Sequence, residues 1–139
     1  MEYKRIDNVY VVRLDVGDEI MESLSRLCKA ENIKAATVQG LGAVNDVTVG
    51  YYSLEEKKYF YKTFNHQFEM IALNGNITRK DDEPYLHLHI ALSDENYNFF
   101  GGHLTEAVIS ITAEIYLNVL DAEVNRRINP ETNLNILDI

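Results

Sequence analysis

The hydrophobic and polar positions of this chain predict one amphipathic helix near its start, followed by a long series of strands. A β-branched run at residues 9–14, VYVVRL, is typical of a first strand, and Gly17 with Asp18 ends it. Beyond this point apolar residues recur every three or four positions with charged residues between them, which predicts a helix over residues 18–31. The apolar positions of that helix are Ile20, Leu24, Leu27 and Cys28.

The remainder of the chain predicts a sheet. Segments rich in β-branched and aromatic residues lie at 36–44, 47–54, 58–64, 68–78, 85–92 and 97–100. Short turns such as Asn45–Asp46 favour antiparallel hairpins over crossover connections. Residues 105–120 alternate between apolar and polar and predict a further strand, after a helical turn near Thr105 to Ala107. The predicted fold class is α+β, close to an α/β sandwich, with a mainly antiparallel twisted sheet packed with one main helix.

Composition adds the expectation of one domain over residues 1–139. No linker, repeat or low-complexity tract divides the chain, and the tail carries only a turn at 129–133 before a short apolar end. The single cysteine, Cys28, is expected to be a buried structural thiol, and an unpaired thiol without a secretory signal predicts a cytoplasmic protein. No run approaches the ~18 apolar residues that span a bilayer, so no membrane insertion is expected.

Charge makes the chain a poor partner for nucleic acid. There are 13 Lys and Arg against 22 Asp and Glu, which gives a formal net charge of −9. Clustered Lys and Arg supply most non-specific DNA affinity through counterion release. Here the basic residues form short pairs beside acids, such as Lys57 with Lys58 and Arg126 with Arg127, and they are interpreted as solvated faces. Direct DNA binding is therefore not expected.

The histidines of residues 84–104 are the candidate chemistry. His87 and His89 are two apart in a predicted strand, so their side chains leave on one face. His103 follows Gly101 and Gly102, and two glycines accept the positive φ or close approach that would fold a loop back beside that strand. Neutral imidazoles suit Zn, Cu, Fe and Ni, and three without a thiolate are typical of an open zinc site. This pattern predicts a divalent metal, zinc first, in a pocket with room for a small-molecule ligand.

Other interpretations of these residues stay open. A His-x-His pair also occurs by chance, as hydrogen-bonded strand residues or at a subunit contact, and His66 is expected to be an exposed turn residue. Glu69 lies in an apolar run, where it faces outward unless it lines the histidine pocket; only then is it a candidate catalytic base. Whether the protein is an enzyme is left open. A cupin-like metalloenzyme is a minor alternative, because Asp94 and Gly101 follow the His-x-His pair, although an N-terminal helix is foreign to a jelly roll.

The ordered set of motifs resembles the plant and prokaryote conserved (PPC) domain family along nearly the whole chain. The matching stretches are ATVQGLGAVNDVTVGYY (36–52), FEMIALNGNI (68–77), PYLHLHIALSD (84–94), GGHL (101–104), TAEIYL (112–117) and NPETNLNIL (129–137). The resemblance implies a largely antiparallel sheet around one main helix, assembled as a homotrimer. In stand-alone prokaryotic members a divalent metal is associated with the positions that match His87, His89 and His103.

The same resemblance brings a DNA-binding expectation that this chain fits poorly. In plants the domain follows AT-hook motifs, short basic segments that enter the minor groove, and no such hook occurs in this sequence. The plant stretch Gly-Arg-Phe-Glu-Ile-Leu aligns with residues 66–71, where only Phe68 and Glu69 of the first four positions match. A DNA-associated regulatory module is thus the alternative to a metal-binding domain, and a purely structural trimer is the third.

Overall fold

The structure, a computed structural model, describes residues 1–139 as one helix and nine strands. The helix is α1 (Ile20–Ala30), and the strands are β1 (Glu2–Ile6), β2 (Val9–Asp15), β3 (Ala36–Ser53), β4 (Lys58–Phe64), β5 (Phe68–Lys80), β6 (Glu83–Ser93), β7 (Phe99–Val119), β8 (Asn125–Ile128) and β9 (Asn135–Asp138). Every strand pairing is antiparallel except that of β5 with β8. The mainly antiparallel sheet with one helix confirms the predicted fold class. The helix has 11 residues, and no helix in the chain reaches the length and apolar character of a membrane span.

The strand order brings the two ends of the histidine segment together. The path through the sheet is β1-β2-β7-β3-β5-β8-β9, with β4 beside β3 and with β6 paired to both β5 and β7. Four of the strands form a closed ring: β3 pairs with β5, β5 with β6, β6 with β7, and β7 again with β3. The start of β7 therefore lies directly beside β6.

The apolar side of α1 packs against two strands of this ring, β6 and β7. Glu19 caps the helix by accepting a hydrogen bond from the backbone N–H of Glu22, and the acid at Glu22 suits the positive end of the helix dipole. The four predicted apolar positions of the helix are all at most 1% exposed, and the helix contacts β6 and β7. Burial raises the pKa of the Cys28 thiol to about 12, so this side chain is an inert part of the core.

Two predicted connections are wrong. The Asn45–Asp46 turn does not exist, because β3 runs through it; Asp46 has a φ of 47° at an irregularity in the pairing with β7, so the turn residues form a bulge. The helical turn at Thr105 to Ala107 is also wrong, because β7 is one strand in which Glu106 lies opposite Thr48. Of the predicted strand at 97–100, only Phe99 and Phe100 lie in a strand, and they are the start of β7. Long bent strands carry local turn signatures where they change direction. The sequence pattern does not distinguish such a bend within one strand from a turn between two elements.

Candidate metal centre

Three histidines meet on one face of the sheet as a nearly equilateral triangle. The ring centroids of His87 and His89 lie 5.3 Å apart, those of His87 and His103 5.2 Å, and those of His89 and His103 5.4 Å. One ring nitrogen from each lies within 4.8 Å of the others. The structure thus brings together the three side chains that the sequence selects, in an arrangement that can hold one metal ion.

Strand geometry explains the meeting. His87 and His89 leave β6 on the same face, and β7 pairs with β6 so that His103 lies directly opposite His89. The glycines before His103 do not form the predicted loop; both lie within β7. Gly101 is needed for close approach instead, because a Cβ there would lie 2.0 Å from the carbonyl oxygen of Ile90 in β6. Gly101 thus allows β7 to come this close to β6, whereas Gly102 approaches β3, where a Cβ would lie 3.0 Å from the carbonyl oxygen of Gly50.

The electrostatics of the triangle favour neutral imidazoles. His87 and His103 are half-buried, while His89 is exposed. Burial, and then the neighbouring charges of His103, Arg126 and His89, lower the pKa of His87 to about 4. Burial and then His89 lower the pKa of His103. Neutral imidazole is the form that binds metals, so these two side chains are held in the state that ligation requires.

The ring of His103 supplies a test of whether a metal fits. Its Nδ1 is buried and has no hydrogen-bond partner in the protein. A buried polar atom without a partner costs about 1–3 kcal/mol, so native sites that retain one usually provide it with a ligand. Three imidazoles without a thiolate or carboxylate suit zinc and similar divalent ions. The donor set and the orphaned atom both fit a metal ion.

A cavity of about 390 Å³ adjoins two of the histidines. The sheet side of its wall is polar and aromatic, and the C-terminal hairpin β8–β9 contributes apolar side chains together with Arg126 and Asn135. The lining residues are Tyr59, Asn76, Tyr85, His87, His103, Arg126, Leu134, Asn135, Ile136 and Leu137. The hydroxyl of Tyr52 donates a hydrogen bond to the carbonyl oxygen of Thr132, which fastens the hairpin loop over this part of the sheet. The ring of Tyr59 lies 5.3 Å from that of His103.

Arg126 is the functional candidate that sequence reasoning missed. The sequence predicts a solvated face for the pair Arg126–Arg127, which is right only for Arg127, an exposed side chain paired with Asp138. Arg126 is half-buried at the cavity. Its strand has only four residues, too few for alternation to show which side chain faces inward.

Glu69 and His66 lie away from the triangle. Glu69 is exposed and pairs with Ser93, four residues along β6 from His89, and it lines a different groove with Leu41 and Ile111. It does not line the histidine cavity, so the condition for a catalytic role is not met within this chain. His66 is exposed between β4 and β5, as expected for a turn residue.

Together these features define a small domain, an antiparallel sheet with one helix, that carries a candidate three-histidine metal centre on one face. The chain belongs to the Plants and Prokaryotes Conserved (PCC) domain family, whose model matches residues 1–121. This match confirms the family that the sequence motifs indicate. The C-terminal hairpin, which closes the cavity, lies beyond the matched residues.

Solved structures of relatives agree in fold along almost the entire chain. A candidate DNA-binding protein from Bacteroides thetaiotaomicron is 34% identical with a TM-score of 0.96, and the match covers 99% of this chain and 96% of that one. A metal-containing protein from Archaeoglobus fulgidus is 29% identical with a TM-score of 0.88, over 97% and 95% of the two chains. A plant- and prokaryote-conserved (PPC) protein from Pyrococcus horikoshii is 29% identical with a TM-score of 0.87, over 99% and 94%.

The chain is also similar to a segment of longer curated proteins. The chain is 29% identical over 126 residues to the bifunctional protein GlmU of Synechococcus sp. (strain JA-3-3Ab). The match covers 89% of this chain and 19% of that protein, so the chain spans about a fifth of the length of this relative.

Proposed function

We propose that this protein is a cytoplasmic metal-binding domain that holds one divalent ion, zinc in the first instance, at His87, His89 and His103. The observation that carries the proposal is the closed triangle of imidazoles, together with the buried Nδ1 of His103, which has no hydrogen-bond partner in the protein. The metal-containing relative from Archaeoglobus fulgidus supports it, because its fold matches along 97% of this chain.

The cavity defines what the site does beyond holding an ion. Three histidines leave a coordination position for water or a small ligand, and an ion so bound polarises an oxygen or lowers the pKa of a water. In this chain His87 and His103 belong to the triangle and also line the cavity. Tyr59 packs against His103 and restricts the orientations that this ring can adopt. A small molecule that enters the cavity is thereby brought beside the ligating rings.

Metal analysis tests the proposal directly. Tag-free protein incubated with zinc and then dialysed is expected to hold about one ion per chain by mass spectrometry of metals. The variant His87→Ala/His89→Ala removes two of three ligands and is expected to hold less than about a tenth of an equivalent. His66→Ala is the matched control, because this exposed histidine lies outside the triangle and its loss should change nothing. A wild-type protein without near-stoichiometric metal, or a double variant that retains it, overturns the proposal.

The domain is further proposed to assemble as a homotrimer. The family resemblance supports this state, and so does an apolar face on the central strands. Its members are Leu41 in β3, Ile71 in β5, and Ile111 and Tyr116 in β7, which are 49–56% exposed. Contiguous exposed apolar side chains in the middle of a sheet are typical of an interface between subunits.

Direct binding to DNA is the competing function, and the description of the Bacteroides thetaiotaomicron relative as a candidate DNA-binding protein favours it. The charges oppose it. Seven of the 13 Lys and Arg side chains lie within 4.0 Å of a carboxylate: Arg13, Arg26, Lys29, Lys34, Lys58, Lys80 and Arg127. The surface therefore offers few free cations to replace the counterions of a duplex.

No binding to duplex DNA is expected at ~50 mM salt, measured by fluorescence anisotropy of a labelled A·T-rich duplex. The reason is the net charge of −9, which repels phosphate at low ionic strength most strongly. A basic DNA-binding domain in the same assay serves as the positive control. Binding at ~50 mM salt that weakens steeply by ~200 mM would establish phosphate contacts and restore the competing function.

A further inference from the structure

Arg126 is a half-buried cation without a carboxylate partner in a protein with 22 carboxylates. Its Nε donates to the Oγ1 of Thr78 at 2.7 Å, its Nη2 to the Oδ1 of Asn76 at 2.8 Å, and its Nη1 to the carbonyl oxygen of Asn135 at 2.9 Å. All three acceptors are neutral. No Asp or Glu oxygen lies within 4.0 Å of its guanidinium, although the neighbouring Arg127 has Asp138.

These three bonds hold the guanidinium in place and leave it able to bind more. A guanidinium has five N–H donors, so two remain after the three neutral contacts. The ring of Tyr85 lies under the group, with 4.5 Å between the guanidinium carbon and the ring centroid, and fixes its plane. A positioned planar cation with free donors, facing a cavity, is the arrangement that recognises a carboxylate.

The rest of the cavity indicates the size and body of the ligand. A volume of about 390 Å³ lies at the small end of the range of ligand cavities, ~300–1,000 Å³. Two tyrosines, Tyr59 and Tyr85, form one side, and Leu134, Ile136 and Leu137 of the hairpin form the other. Such walls suit a flat or apolar body. None of the ten lining residues is an acid, so nothing in the cavity repels an anion.

We propose that this cavity binds a small carboxylate with an aromatic or apolar body, and that Arg126 pairs with the carboxylate. The proposal rests on the proposed metal centre in one respect: the cavity is lined by His87 and His103, two of the three proposed metal ligands. It assigns to that site a ligand class that the histidines alone do not define. A neutral analogue of the same shape would leave Arg126 without its counter-ion and bind more weakly.

Calorimetric titration with benzoate and its neutral analogue benzamide tests the ligand class. On zinc-loaded wild-type protein, benzoate is expected to bind at least about tenfold more tightly than benzamide. Arg126→Gln is expected to raise the Kd for benzoate at least about tenfold and to leave the Kd for benzamide unchanged. Arg127→Gln is the matched control, an exposed arginine of the same strand, and should change the benzoate Kd less than about twofold. Equal affinity for the two probes, or no benzoate binding up to ~10 mM, overturns the inference.

Two further measurements distinguish a failure of this inference from a failure of the metal proposal and from misfolding of the variant. Zinc content is determined on the same samples: a zinc-replete protein that ignores benzoate overturns this inference alone, whereas a zinc-free protein that still prefers benzoate through Arg126 overturns the metal proposal alone. Because Arg126 also ties β8 to Asn76 and Thr78 of β5, the folding of Arg126→Gln is checked by thermal melting. If that variant does not fold, benzoate is compared with benzamide on zinc-free wild-type protein, where a preference for benzoate cannot come from zinc and equal affinity overturns the inference.

Discussion

Gly75→Ala is expected to cost about 3 kcal/mol or more of folding stability and to abolish zinc retention. Gly75 lies in β5 opposite Leu88, between the pairs Asn74 with His89 and Asn76 with His87. A Cβ at this position would lie 2.0 Å from the carbonyl oxygen of His87 and 2.9 Å from the Cα of Leu88. Both obstacles are backbone atoms of a paired strand, which cannot rotate away as a side chain can. Overpacking by a methyl group commonly costs 1–3 kcal/mol, and a clash with backbone lies at or beyond the top of that range.

Zinc is expected to be lost because the two strands would separate at the metal ligands. Alanine at this position pushes β6 away from β5 at the residues that carry two of the three ligands, so the imidazole triangle opens. Urea denaturation monitored by circular dichroism gives the stability, and metal analysis gives the zinc content. Gly50→Ala is the control, because a Cβ there meets only the ring edges of Tyr59 and Tyr61, at 3.1 Å or more; its expected cost is below about 1 kcal/mol. A Gly75→Ala protein with the wild-type midpoint and full zinc would contradict the proposed role of close strand approach.

The three histidines of β6 and β7 show which features of the site could be predicted from the sequence and which could not. Strict alternation in residues 85–92 correctly placed His87 and His89 on one face, because a side-chain period of two is a local property of a strand. The prediction that His103 lies beside this pair was also correct, yet the structural reason was different. Gly101 and Gly102 do not form a loop; they allow β7 to pack closely against β6 and β3, which depends on which strands lie alongside.

The position of Arg126 at the cavity could not be predicted from the sequence, because it depends on contacts between distant parts of the chain. Its acceptors in β5, Asn76 and Thr78, lie about 50 residues earlier in the chain, and β8 reaches β5 through the only parallel pairing in the sheet. Periodicity carries no information about such long-range contacts. The same limit explains the Asn45–Asp46 error, since only the pairing of β3 with β7 distinguishes a bulge from a hairpin turn.

Replacement of Ile111 by aspartate is expected to convert the proposed trimer into monomers. Ile111 is 56% exposed on β7, and Leu41 of β3 and Ile71 of β5 line one groove with it. In a self-assembled state this face would be buried, and a carboxylate there would lose its water without gaining a cation, because the groove contains only Glu69 as a charged side chain. Breaking the pairing of a buried charge typically costs 3–5 kcal/mol, and an introduced unpaired charge is of that order, so self-association should weaken at least a hundredfold.

Size-exclusion chromatography with light scattering at micromolar concentration measures the change. Wild-type protein is expected at three times the 16.0 kDa chain mass, and Ile111→Asp at one chain mass. Leu54→Asp is the matched control: Leu54 is 72% exposed, more than Ile111, but it lies in the turn after β3, outside the apolar face, and its replacement should leave the trimer intact. Because Ile111 faces outward within one chain, the monomer should keep its helix and sheet by circular dichroism. A monomeric wild-type protein, or an Ile111→Asp variant that remains trimeric, would exclude this face as the subunit interface.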